Sequence, residues 1–218
     1  MSVVNTRERT INTKIVYYGP GLGGKTTSLK RVHATIDPPG NVKLISLKTD
    51  DERTLFFDLL PIELGELDGY TFKISAFTVP GQVKYNLTRR QVLVGADAVI
   101  FVADSQRARL DEDLESFESL AENMEINGLD PATIPLVMQY NKRDMAGVAS
   151  VPELERLLNA QGAPSFETEA TSGRGVFRAF ATAARAMLEA VAIRYRLSGR
   201  ESAGQLLARH LSCFADIQ

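Results

Sequence analysis

The sequence predicts an α/β fold with a mostly parallel central sheet, one antiparallel edge strand and helices on both faces. Three observations carry this. Apolar stretches of strand length alternate with longer segments of helical period, as they do in successive β-α-β units. Residues 96–103 are apolar throughout except for Asp97, which reads as a central strand buried on both faces. A glycine-rich turn joins the first long apolar strand directly to a helix.

Residues 11–18 form that first strand, and residues 25–36 the helix, which Asp37-Pro38-Pro39-Gly40 ends. Residues 42–47 read as a second strand and residues 70–79 as a third. Gly65 and Gly69 lie between Ile62-Glu63-Leu64 and Tyr70-Thr71-Phe72, which suggests a hairpin and hence an antiparallel pair at the sheet edge. Residues 110–126 set acids against Leu114, Phe117, Leu120 and Met124, the pattern of an amphipathic helix. Its acids (Asp111, Glu112, Asp113, Glu115, Glu118, Glu122 and Glu125) read as a solvated face. A strand over residues 134–139, a helix from Val151, a short strand near Phe166 and a helix over residues 175–195 complete a domain expected to span residues 1–197. Residues 198–218 are an extension in which Leu206, Leu207, His210, Leu211 and Phe214 can share one helical face, as either a docking helix or a frayed tail.

A length of 218 residues suits one domain with a full core. The net charge of -2 gives no pull toward nucleic acid, so no nucleic-acid partner is expected. The apolar runs fall far short of the ~20 residues that cross a bilayer. Cys213 is the single cysteine, which excludes an intrachain disulfide and a cysteine-built zinc site. The opening Met1-Ser2-Val3-Val4-Asn5 lacks a secretory layout, and neither residue 2 nor the distance of Cys213 from Gln218 fits a lipid anchor. A cytoplasmic protein is the expectation.

Gly19-Pro20-Gly21-Leu22-Gly23-Gly24-Lys25-Thr26 matches a phosphate loop: a glycine, four residues, then Gly-Lys-Thr, between an apolar strand and a helix. The loop needs glycines because its backbone amides must close around phosphate oxygens without side chains in the way. Lys25 would set its ammonium against the β- and γ-phosphates, and the Thr26 hydroxyl would bind a magnesium ion. Thr27 follows in the same phosphate-binding turn, at the positive end of the helix. This motif implies a nucleoside triphosphate and leaves the base open.

The base is addressed by Asn141-Lys142-Arg143-Asp144, which directly follows an apolar strand. A carboxylate at Asp144 can accept from both N1–H and the 2-amino group of guanine, a donor pair that adenine lacks. Asn141 would reach the other edge of the base and tie this loop to the phosphate loop, while the stem of Lys142 would cover a ring face. In Glu169-Ala170-Thr171-Ser172-Gly173, where a short strand meets a helix, the Ala170 amide could contact the guanine 6-oxo group. GTP and GDP are therefore the expected ligands, with magnesium as cofactor.

Thr78-Val79-Pro80-Gly81-Gln82 ends the third strand, where small GTPases carry Asp-x-x-Gly-Gln. The Gly81 amide would sense the γ-phosphate and Gln82 would orient the attacking water. A hydroxyl from the segment between the first helix and the third strand should complete the magnesium shell, and Thr49 and Thr54 both qualify on chemistry.

Taken with Lys14-Ile15-Val16-Tyr17-Tyr18, Arg53-Thr54-Leu55-Phe56-Phe57-Asp58 and Phe101-Val102-Ala103-Asp104-Ser105-Gln106, these motifs resemble the MglA-type small Ras-like GTPases of bacteria, which govern cell polarity and motility. The resemblance runs over about residues 10–196. It implies a Ras-like fold, Thr54 as the magnesium-side threonine, Gln82 as the water-orienting residue and Arg53 as a built-in arginine finger. A guanidinium beside the γ-phosphate would neutralise charge developing in the transition state. The resemblance further implies a small, dimeric Roadblock-type activating partner, effectors in a polarity system and recruitment to a cell pole. Thr78 departs from the general Ras pattern: the usual aspartate holds magnesium through water, and a neutral hydroxyl implies softer metal binding. The competing reading is a GTP-gated scaffold with negligible turnover, which Thr78 favours and the pair Arg53 and Gln82 opposes.

Overall fold

The computed structural model describes residues 2–37, 39–47, 57–67 and 69–196. In chain order these residues form β1 (Val3–Asn5), β2 (Thr10–Tyr18), α1 (Lys25–Ile36), β3 (Ile45–Leu47), β4 (Phe57–Leu67) and β5 (Tyr70–Thr78). Then come α2 (Asn86–Leu93), β6 (Ala98–Asp104), α3 (Leu110–Ile126), β7 (Leu136–Asn141), α4 (Val151–Leu158), β8 (Ser165–Glu167) and α5 (Val176–Arg194).

The sheet order is β3-β4-β5-β2-β6-β7-β8, with β1 paired to β2. β5, β2, β6, β7 and β8 are mutually parallel, and β4 runs antiparallel to both β3 and β5. The expected antiparallel strand is thus β4, one place in from the edge. β1 adds a third antiparallel pairing, with β2, that the sequence pattern did not reveal.

Side-chain alternation along the central strands explains why both faces are covered. Ile15 and Tyr17 of β2, with Ile100 and Val102 of β6, join a core under α1 and α5 that includes Leu29, Val32, Phe180 and Met187. Val16 and Tyr18, with Val99 and Phe101, face a second core under α2, α3 and α4 that includes Leu93, Leu120 and Leu154. A strand buried on both faces reads as a continuous apolar run, which is why β6 was visible at once. Asp97, the exception beside it, is buried because it is fully used: its carboxylate accepts the Ser2 and Lys14 amides at 2.7 and 3.1 Å and pairs with Arg194 at 3.2 Å. That clasp fixes both the start of β6 and the end of α5, at the sheet edge opposite the functional loops. Those loops leave the C-terminal ends of β2, β5, β6 and β7, the edge where open α/β sheets bind ligands.

Candidate active site

The glycine-rich turn leaves β2 and becomes α1 without a side-chain cap, because Gly24 itself holds the capping position at φ 105°. That left-handed angle favours glycine, and a Cβ there would run into the Asn141 side chain. Gly24 is thus the point where the phosphate loop and the base loop meet. Asn141 completes the junction: its Nδ2 donates to the Gly23 carbonyl at 2.8 Å, and its Oδ1 accepts from the Ala170 amide at 2.9 Å and the Thr168 hydroxyl at 3.1 Å. Any contact of the Ala170 amide with a 6-oxo group would share that bond. Lys142, in a left-handed conformation at φ 66°, anchors its ammonium on the buried Asp104 carboxylate at 2.6 Å, so the base of its stem and its head are both fixed. Asp144 is exposed at the loop tip.

A cleft of about 490 Å³ is lined by Leu22, Gly24, Lys25, Thr26, Thr27 and Lys30 on one side and by Ser46, Phe57, Asp58, Thr78, Pro80 and Gly81 on the other. Lys25 is almost wholly buried, and its ammonium turns back on the loop to donate to the Gly19 and Pro20 carbonyls at 2.9 and 2.6 Å. Burial and the nearby Arg89 push its pKa down to about 7, against the pull of Asp113. An amine held by carbonyls alone is a site that a phosphate anion would complete.

A carboxylate does stand beside Thr78, that of Asp58 on β4. The antiparallel register pairs Leu59 with Phe77, which sets Asp58 beside Thr78. The Thr78 hydroxyl donates to Asp58 Oδ2 at 2.9 Å and accepts the Asp58 amide at 2.9 Å. Thr26 donates to the same Oδ2 at 2.6 Å, and Ser46 to Oδ1 at 2.6 Å. A carboxylate ringed by hydroxyls is an all-oxygen donor set of the kind magnesium takes. Sequence reasoning did not single out Asp58. The available signal was a carboxylate at the head of a strand that neighbours the position where one was missing.

The structure brings Gly24, Lys25, Thr26, Thr27, Leu22 and Gly81 to the wall of the cleft, and Asn141, which Lys142 and Asp144 follow on the same loop, ties Gly23 of the phosphate loop to Ala170. Gln82 is exposed and lines a neighbouring cavity of about 270 Å³ with Gly21, Gly81, Arg109 and Glu112. Arg53, Thr54 and Thr49 lie outside the described residues, as does the extension over residues 198–218.

One expectation is corrected: Asp113 does not belong to a solvated acidic face. It is fully buried, where its Oδ1 accepts the Asp104 amide at 2.9 Å, while Glu115, Glu118, Glu122 and Glu125 remain exposed. Burial, abetted by the charges of Asp104 and Glu112, pushes the Asp113 carboxyl up to about 8. The folded chain therefore keeps a proton that the unfolded chain releases near a pH of about 4. Stability from this group is full below about 4 and is lost as pH rises toward 8. Asp113→Asn keeps the acceptor for the Asp104 amide and cannot ionise. It should match wild type near pH 4 and exceed it at pH 8.5 by a few kcal/mol, at about 1.4 kcal/mol per pH unit between. Urea unfolding at the two pH values measures this, and an equal difference at both would refute it.

With this geometry established, comparison with known proteins identifies the class. The chain belongs to the ADP-ribosylation factor family, which it matches over residues 2–186. It is a small Ras-like GTPase, an enzyme that binds guanine nucleotide and hydrolyses GTP to GDP and phosphate. It is similar to the mutual gliding-motility protein MglA of Myxococcus xanthus (strain DK1622), at 45% identity over 188 residues, covering 86% of this chain and 96% of that protein. No helix among the described residues is long and apolar enough to cross a membrane.

Proposed function

We propose that this GTPase is a slow molecular switch in cell polarity and gliding motility, read by partners that tell its GTP state from its GDP state. The observation that carries this is the meeting of Gly81 with the phosphate loop. The Gly81 backbone lies so close to Gly21 and Pro20 that a Cβ at position 81 would overlap them. A further phosphate beyond Lys25 must therefore move the Thr78-to-Gln82 segment, which changes the surface offered by that segment and α2.

In the proposed mechanism Lys25 and the loop amides hold the β- and γ-phosphates, and Asn141, Lys142, Asp144 and the Ala170 amide hold the base. Thr26 and Thr54 would bind magnesium, with Asp58 supporting its water shell in place of an aspartate at position 78. The ion would neutralise phosphate charge. Gln82 orients the attacking water, and Arg53 meets charge that builds on the γ-phosphate in the transition state. The carboxylate of Asp58 weakens the case for a scaffold without turnover, since that case rested on Thr78 being a neutral substitute. The resemblance to MglA supports a Roadblock-type dimer as activator, polarity effectors as readers and a cytoplasmic protein drawn to a cell pole.

Base choice is tested by binding. The protein should prefer GDP strongly over ADP, and Asp144→Asn should shift preference toward xanthine nucleotides, whose 2-oxo group accepts from the new amide. Equal affinity of the wild type for ADP and GDP would overturn the guanine assignment. The switch is tested by single-turnover hydrolysis with and without a Roadblock-type protein. Stimulation in wild type and its loss in Arg53→Ala, with GTP affinity kept, is the expected pattern, by roughly a thousandfold if the finger is fully engaged. Full stimulation of the alanine variant would place the finger elsewhere.

A further inference from the structure

Arg109 stands outside the nucleotide cleft yet touches the phosphate loop from behind. It precedes α3, at the end of a short turn that follows β6. Its Nη2 donates to the Gly21 carbonyl at 3.2 Å, its Nη1 pairs with Glu112 at 2.7 Å, and its Nε lies 4.0 Å from the Asp104 carboxylate. The same buried Asp104 oxygen takes the Lys142 ammonium at 2.6 Å. One carboxylate thus anchors two cations, one reaching the phosphate loop and the other belonging to the base loop.

Peptide geometry turns the Gly21 contact into an aiming device. In a trans peptide the carbonyl and the following N–H point in opposite directions. A donor that holds the Gly21 carbonyl on the α3 side turns the Leu22 N–H away from α3, toward the cleft that Leu22 lines. Leu22 needs such a hold, because it sits at φ 62°, a conformation crowded for any residue with a Cβ. The loop's own bond, from the Gly23 amide to the Pro20 carbonyl, is long at 3.3 Å and does not engage the Gly21–Leu22 peptide.

We propose that Arg109 is a positioning residue for nucleotide binding: by holding the Gly21 carbonyl it aims the Leu22 amide at the phosphates, and through Asp104 it links that aim to Lys142 on the base side. The proposal rests on the phosphate loop holding a guanine nucleotide. Gly21 and Leu22 belong to the loop that holds GDP and GTP alike, so Arg109 sets how long either nucleotide stays bound.

The test uses the full chain loaded with GDP and magnesium. The release rate of a fluorescent GDP analogue and the phosphorus resonance of the bound β-phosphate are measured for wild type, Arg109→Ala and Arg109→Lys. Arg109→Ala should release the analogue about tenfold faster, the scale of one charge-assisted hydrogen bond. The β-phosphorus resonance should shift, and a GTP analogue should be released faster by the same factor. Arg109→Lys, which keeps a charged donor, should recover part of both effects and carries the test if the alanine variant does not fold. Arg107→Ala is the control: it sits on the same turn, pairs with Glu153 at 2.6 Å and should leave release within twofold of wild type. Release within twofold in Arg109→Ala, or faster release with an unmoved β-phosphorus resonance, would overturn the proposal, because a residue that merely steadies the start of α3 does not change the field at that phosphate. A wild type that retains no GDP would instead strike at the nucleotide-binding reading itself.

Discussion

Gln82→Leu should keep GTP affinity and lose stimulated hydrolysis by about a hundredfold or more, the cost of an unpositioned nucleophile. The loss falls on the rate because leucine still fills space beside the phosphate loop but cannot hold a water molecule in line with the γ-phosphate. The surroundings of Gln82 add a second arm to the test. Its side chain lines the cavity between the phosphate loop and α3, with its γ-carbon 3.9 Å from where a Cβ on Gly21 would lie. A Cβ at that distance is in ordinary contact, so in Gly21→Val the two methyls beyond it are what would crowd Gln82 and the γ-phosphate position, and the variant should impair hydrolysis in the same direction without requiring loss of GDP binding. Single-turnover hydrolysis with saturating activator measures both variants. Wild-type turnover by Gln82→Leu would remove Gln82 from the reaction.

The parts of the site that are local in sequence were legible, because their chemistry is written in adjacent residues. Gly24 and Lys25 begin α1 where the motif placed them, and Asn141 joins the base loop to the phosphate loop. What escaped depends on pairing or on depth. α2 was not found because its inward residues include Arg89, a fully buried cation that breaks the apolar period. Arg89 is tolerated there because its guanidinium lies 4.4 Å over the Tyr18 ring and donates to the Ser116 hydroxyl at 2.7 Å. Asp113 was legible by spacing, four residues before Phe117 and seven before Leu120 on the apolar face of α3, but the Asp104 amide that its carboxyl meets belongs to another element. Asp58 needed the register of β4 against β5, and register is a property of two strands together.

That register makes the proposed magnesium site testable by moving a charge. Asp58→Ala should raise the magnesium concentration needed for slow GDP release and for hydrolysis by about 10–100-fold, the range for losing a residue that orients a metal's ligands. Thr78→Asp alone should also be impaired, because its carboxylate would enter the space where Asp58 Oδ2 now lies 2.9 Å from the Thr78 hydroxyl, and two like charges that close do not both ionise freely. Combining the two changes should restore much of the magnesium dependence, since the double variant again has one carboxylate within reach of Thr26. The measurement is a magnesium titration of nucleotide release for wild type, each single variant and the pair. Recovery in the double variant would show that Asp58 does the work of the missing aspartate. If Asp58→Ala titrates like wild type, the carboxylate serves only to hold β4 against β5 through Thr78. If the double variant is worse than either single one, position 78 cannot host the charge, and the two sites are not exchangeable.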